Sequence, residues 1–280
     1  MTAVRGLLTE GAAVLRRAGI TSAQTDAQLL LASLLKVERV RLFIDDQQEV
    51  PPEVESRYQA QLRERALGCP VAYLTGSKEF YGLTLAVGPG VLVPRPETEL
   101  LVETALSFAD AHSVLDLGTG SGAVALALKH EAPHLEVWAC DISEKALTMA
   151  RDNAATLGLE VNFLHSNWFE ALPSRHWDLI VSNPPYIAAG DPHLTQGALP
   201  FEPPEALSSG AAGLDAITHI VANASAYLSP GGSLLFEHGY EQGAACRDLL
   251  CSYGYLEIHT LKDLQGLERV SLGRHPQHEQ

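Results

Sequence analysis

The sequence has 280 residues, enough for two domains of unequal size, and its 46 % apolar content is ordinary for a globular protein. The net charge is −15, from 34 acidic and 19 basic residues, and there is no Lys/Arg block. That balance argues against extended contact with nucleic acid, where neutralised phosphates supply most of the affinity, and favours a basic protein partner. No apolar run approaches the ~20 residues of a membrane span. Residues 1–20 are interrupted by Arg5, Glu10, Arg16 and Arg17 and do not read as a secretory signal. Cys69, Cys140, Cys246 and Cys251 form no C-x-x-C pair, which fits free thiols in a reducing cytoplasm.

Residues 1–75 read as a small helical bundle. Val4, Leu7, Leu8, Val14, Leu15 and Ala18 recur near helical spacing before a stop at Gly19. Thr25-Asp26 opens a second apolar helix through Leu35, Arg39–Asp45 is a short third segment, and Pro51-Pro52 starts a polar helix ending near Gly68. Residues 76–95 read as a linker carrying a β-hairpin, Lys78–Tyr81 and Leu83–Val87 flanking Gly82. Pro94-Arg95-Pro96-Glu97-Thr98-Glu99 then leads into a helix over Leu100–Phe108, with Pro96 and two acids suited to its first turn.

From residue 96 onward the pattern is α/β. Strands are expected at His112–Asp116, Glu136–Asp141, Val161–His165, Trp177–Ser182 and Ser233–Glu237, with an antiparallel pair at Leu256–Thr260 and Arg269–Leu272. Helices are expected around Val124–Leu128 and over Glu144–Leu157. Such alternation predicts a mainly parallel sheet covered by helices on both faces.

Asp116-Leu117-Gly118-Thr119-Gly120-Ser121-Gly122 joins the first of these strands to a helix. The spacing is G-x-G-x-G rather than the dinucleotide G-x-G-x-x-G, and Asp116 puts a carboxylate at the strand tip. A carboxylate there repels pyrophosphate but suits the ammonium of an amino-acid ligand, so S-adenosylmethionine fits better than NAD. Asp141 ends the second strand, where an acid accepts from ribose hydroxyls. Trp168 can wall an adenine ring, whereas Phe169 reads as core.

Asn183-Pro184-Pro185-Tyr186 follows the Trp177–Ser182 strand, at the carboxyl edge where open parallel sheets bind ligands. Two prolines remove two donors and stiffen the turn, freeing the Pro184 carbonyl. With the Asn183 side-chain carbonyl it makes two acceptors for both hydrogens of a planar –NH₂, and Tyr186 can lie against that group. Nitrogen methylation needs only such alignment and charge stabilisation.

With these residues placed, the chain resembles the PrmC/HemK family, protein-(glutamine-N5) methyltransferases of class I peptide-chain release factors. The likeness runs nearly full length and also takes in Phe201-Glu202-Pro203 and Phe236-Glu237-His238-Gly239. It implies a Rossmann-like class I methyltransferase domain with a mostly parallel seven-stranded sheet, behind an N-terminal docking domain for the release factor. It implies cofactor contacts at Gly118, Thr119, Gly120, Ser121, Gly122, Asp141, Trp168 and Asn183. Asn183, Pro184, Pro185 and Tyr186 would hold the glutamine of a Gly-Gly-Gln loop, and Asn183, Pro184 and Tyr186 would carry catalysis. S-adenosylmethionine would be converted to S-adenosylhomocysteine, without metal, by a cytoplasmic monomer that binds neither nucleic acid stably nor membrane. Two positions depart from the family pattern: Asn167, where members often carry Asp, and Pro200, where some carry a basic residue. A ribosomal-protein glutamine would use the same chemistry, and a DNA adenine methyltransferase would share the Asn-Pro-Pro-Tyr turn but want a basic groove. A non-enzymatic binding module would keep the glycine loop without needing Asn183. His112, His130, His165, His193 and His238 show no metal-ligand spacing.

Overall fold

The structure, a computed structural model, describes residues 2–276. It divides into two compact units: the chain up to Ser77 together with Thr195–Phe201, and Lys78–Leu194 with the chain from Glu202 onward.

The first unit is helical: α1 (Val4–Arg17), α2 (Ala23–Leu35), the single turn α3 (Arg41–Ile44), α4 (Pro52–Ala66) and the short α5 (Val71–Thr75). Val4, Leu7 and Leu15 of α1 meet Leu30 and Leu31 of α2 and Tyr58 and Leu62 of α4 in one buried cluster. Gly11 permits this approach, because a Cβ there would lie 2.2 Å from the Tyr58 hydroxyl. Asp26, buried on α2, accepts from Arg65 Nε and from the Ser22 hydroxyl, both at 2.8 Å. Thr195–Phe201 joins this unit at Gly68, where a Cβ would lie 2.6 Å from the Gly197 carbonyl oxygen.

The second unit opens with the hairpin β1 (Ser77–Phe80) and β2 (Leu83–Ala86), whose turn residues Tyr81 and Gly82 both have positive φ. Expected as part of a linker, the hairpin is built into this unit: Phe80, Leu83 and Leu85 are buried among Leu101, Val124 and Leu126. The Asn153 side chain bonds both the N–H and the carbonyl of Ala86.

A short 3-10 turn, Pro96–Thr98, then leads into α6 (Glu99–Leu106). There follow β3 (Ser113–Leu117), α7 (Ala123–Glu131), β4 (Glu136–Asp141), α8 (Glu144–Leu157), β5 (Asn162–His165), β6 (Trp177–Ser182), α9 (Asp215–Ala224), β7 (Leu228–Glu237), α10 (Gly243–Ser252), β8 (Leu256–Lys262) and β9 (Glu268–Arg274).

Seven strands form one sheet in the order β5-β4-β3-β6-β7-β9-β8, parallel through β7, with β9 antiparallel to both β7 and β8. The expected α/β class and the mostly parallel seven-stranded sheet are therefore both present. β3 is buried at all five positions, as a strand covered on both faces must be. Its Val114 joins the core under α6 and α7, while Leu115 and Leu117 join the one under α9 and α10. Strand order reverses between β3 and β6, so the loops leaving their carboxyl ends diverge and open a crevice.

Candidate active site

The glycine loop fills the turn from β3 to α7. Gly118, Gly120 and Gly122 have φ of +73°, +57° and +85°, which explains glycine at every second position. Four of the loop's N–H groups, those of Gly118, Thr119, Gly120 and Gly122, are used internally. Those of Gly118 and Thr119 donate to the Cys140 carbonyl at 2.9 and 3.0 Å, and that of Gly120 to Asp141 Oδ2 at 2.8 Å. Gly118 and Gly120 thus open the loop to the adjoining cavity through their missing side chains rather than as a ring of free donors, unlike a phosphate cradle. At Gly118 the absent Cβ would sit 3.4 Å from the Trp168 ring. Gly122 instead faces Leu126 and Ala150, at 3.0 and 3.2 Å from its absent Cβ.

A cavity of about 530 Å³ opens beside this loop, at the carboxyl ends of β3, β4 and β6. Gly118, Gly120, Asp141, Asn167, Trp168, Asn183 and Pro185 all line it. Thr119 and Ser121 line instead a smaller pocket of about 50 Å³, shared with Asp116, Thr98 and Asn183. Gly122, Pro184 and Tyr186 line neither. The larger cavity has Asp141, Glu205 and Asp215 in its wall and no Lys or Arg. Such a lining favours a cationic ligand and disfavours a phosphate backbone.

Asp116 is 1 % exposed and accepts the Thr119 hydroxyl at 2.6 Å. Burial pushes its carboxyl up to about 7, against the Thr119 hydrogen bond, and nearby Asp141 adds to the rise. Asp141 is also raised, chiefly by burial, although its Oδ1 accepts the Ser143 N–H at 2.9 Å and its Oδ2 that of Gly120. Trp168 has φ of +50°, an uncommon conformation for an aromatic residue. Its carbonyl is held by the Ser166 hydroxyl at 2.9 Å, and Ser166 Oγ accepts the Ala171 N–H. Phe169 is core, stacked on Tyr227 with ring centroids 5.0 Å apart. Asn167 lines the cavity, and its Nδ2 donates to Glu170 at 2.8 Å.

At the end of β6, Asn183 Nδ2 donates to Thr98 Oγ1 at 3.0 Å. That bond assigns the amide's orientation and leaves Asn183 Oδ1 as an acceptor beside the cavity. Tyr186 donates its hydroxyl to Glu237 Oε1 at 3.0 Å. Val93 N–H (3.1 Å) and Arg95 Nη2 (2.5 Å) both bind the buried Glu202 carboxylate, tying the extended segment before Thr98 to the loop beyond Tyr186. Thr98, Glu202 and Glu237 stand in segments that carry the resemblance, but no role follows from their spacing. Their partners lie 85, 107 and 51 positions away. Gln242 and Glu205 carry no sequence signal at all.

Comparison with known proteins decides the family. A Xylella fastidiosa (strain Temecula1) protein called release factor glutamine methyltransferase is 49 % identical over 257 residues, covering 90 % of this chain and 94 % of its own. One of the same name from Aliivibrio fischeri is 40 % identical over 275 residues, covering 97 % of each. The chain belongs to the release factor glutamine methyltransferase family. Residues 6–76 match the PrmC N-terminal domain of that family, and residues 96–198 match the methyltransferase small domain. Among solved structures, a Pyrococcus furiosus methyltransferase superposes with a TM-score of 0.55 at 18 % identity, covering 79 % of this chain and 98 % of that one. The Thermus thermophilus 16S rRNA N2 G1207 methyltransferase gives 0.53 at 24 % identity, covering 71 % and 49 %. Both are similar in fold. Among the described residues no helix is long and apolar enough to cross a membrane, and the four cysteines are free thiols.

Proposed function

We propose that this chain transfers a methyl group from S-adenosylmethionine to the side-chain amide nitrogen (N5) of the glutamine in the Gly-Gly-Gln loop of class I translation release factors. The products are N5-methylglutamine and S-adenosylhomocysteine. The observation that carries this reading is Asn183, which lines the cavity with Gly118, Asp141 and Trp168 while its Nδ2 is engaged by Thr98, so that its Oδ1 is not used by that bond.

S-adenosylmethionine supplies, when bound, a methyl group already activated on a sulfonium, so no metal is called for. Asp116, Asp141 and a wall without Lys or Arg suit its cationic end and its ribose, and Trp168 offers a face to adenine. Asn183 Oδ1 and the Pro184 carbonyl accept the two amide hydrogens of the glutamine. That orients the nitrogen and favours the positive charge growing on it as its lone pair is drawn away. Pro185 and Tyr186 hold the amide plane, and the proton leaves to water after transfer. The helical unit receives the release factor, and the protein works as a cytoplasmic monomer.

Incubation with labelled S-adenosylmethionine and separately purified release factor, ribosomal protein and DNA, followed by mass spectrometry, tests the reading. Label is expected on the Gly-Gly-Gln glutamine. Label confined to DNA or to a ribosomal protein would overturn it.

A further inference from the structure

Tyr186 is gripped at both ends by the connection between β7 and α10. Its hydroxyl donates to Glu237 Oε1, and its main-chain carbonyl accepts from Gln242 Nε2, each at 3.0 Å. Gln242 is itself fixed, because its Oε1 accepts the Gly239 N–H at 2.8 Å. Its Nε2 also reaches the Ala212 and Gly213 carbonyls at 3.2 and 3.3 Å. Gly213 closes the third side: a Cβ there would lie 2.2 Å from the Tyr186 carbonyl oxygen.

Glu237 is 1 % exposed, and its Oε2 has no hydrogen-bond partner among the described residues. An acid so placed is costly, and a leucine would fill the space without that cost. Burial raises its carboxyl, and the Thr98 and Tyr186 hydroxyls act in the opposite direction.

We infer that Glu237 and Gln242 are positioning residues for the methyl acceptor: together they set the Tyr186 ring. The inference rests on the glutamine reading above. Anchoring the hydroxyl fixes χ1 of Tyr186. Because a phenolic O–H lies in the ring plane, its direction toward Glu237 fixes that plane as well. A planar amide laid on a fixed ring presents its nitrogen at one angle, so loss of the clamp lowers the turnover step and not the docking step.

The test uses Tyr186→Phe, Glu237→Gln, Glu237→Leu, Gln242→Leu and the double variant Tyr186→Phe/Glu237→Leu in the full chain. Steady-state kinetics are measured with intact release factor, and cofactor Kd from tryptophan fluorescence. Tyr186→Phe, Glu237→Leu and Gln242→Leu should each lower kcat about ten- to hundredfold, with KM and cofactor Kd within about threefold of wild type. Glu237→Gln, which keeps one acceptor, should lose less than Glu237→Leu. The double variant should fall no more than about threefold below the weaker single, because both changes remove one bond. If circular dichroism shows Glu237→Leu unfolded, Glu237→Gln added to Tyr186→Phe should cause no further loss. Unchanged kcat in Tyr186→Phe, losses that multiply, or a loss that appears in cofactor Kd would overturn the clamp. If wild type labels a different planar nitrogen, the glutamine reading alone fails, and the same variants run on that acceptor still decide the clamp.

Discussion

On the proposed reading, Asp116 is a buried carboxyl beside the cofactor's cationic end, and such a group ties binding to pH. Its folded value of about 7 lies above its ordinary 3.8, so its contribution to stability is present at acid pH and is lost as pH rises through 7. A cationic ligand end beside it favours the charged form, and binding should then release a proton. Cofactor affinity is expected to rise between about pH 6 and 8, with a proton count read by calorimetry in two buffers of different ionisation enthalpy. Asp116→Asn should flatten that dependence, and a flat wild-type profile would remove Asp116 from ligand contact. Asn183→Ala acts on a different step. On the proposed reading it removes one of two acceptors for the substrate amide, and it should lower kcat roughly 100-fold or more. Cofactor Kd should change much less, and unchanged turnover would take Asn183 out of the mechanism.

The glycine loop separates two uses of one residue type, and the separation is testable. Gly118→Ala forces a side chain to φ of +73° and pushes a methyl toward Trp168, so cofactor Kd should rise at least about tenfold. Gly122→Ala meets Leu126 and Ala150 instead, so its thermal midpoint should fall while Kd holds within about twofold. Elements with this much local signal are legible from sequence. Glu136–Asp141 and Trp177–Ser182 are apolar runs bounded by turn residues, and the strands have those limits. α9 has a regular apolar stripe at Ile217, Ile220 and Val221, yet its start is marked by a tertiary cap. Ser209 Oγ accepts the Ala216 N–H, and Leu214 holds the ordinary cap position. α10 begins at Gly243 with no side-chain cap, against the usual preference for glycine outside helices. β7 runs back through Pro230-Gly231-Gly232, residues that read as punctuation, with its register against β6 shifting between Trp177 and Leu179. In the site, Asn183 and the loop glycines are local motifs and can be read directly. Glu237 and Gln242 matter only through Tyr186, more than 50 positions away, and no spacing rule reaches that far.

At the scale of the whole molecule, charge is divided unevenly. Residues 1–77 carry nine acidic and nine basic side chains, so the net −15 falls entirely on the methyltransferase portion of the chain. The helical unit, by contrast, exposes Val40, Phe43, Ile44 and Leu67. Apolar contact and long-range charge respond oppositely to salt. Screening shortens the reach of surface charge to about 10 Å at 0.1 M and about 3 Å at 1 M, while burial of apolar surface is not weakened by it. If the acidic portion steers a basic partner surface, kcat/KM for the release factor should fall several-fold from about 0.05 to 0.5 M salt. The loss should appear in association, with kcat nearly constant, because the acceptor bonds proposed at Asn183 would form only after docking. A Gly-Gly-Gln peptide without charged flanks should show little of this loss, which separates steering from a general effect of salt on the enzyme. Rates for the intact release factor that hold steady across the range would assign docking to the apolar helical unit and leave the acidity to solubility.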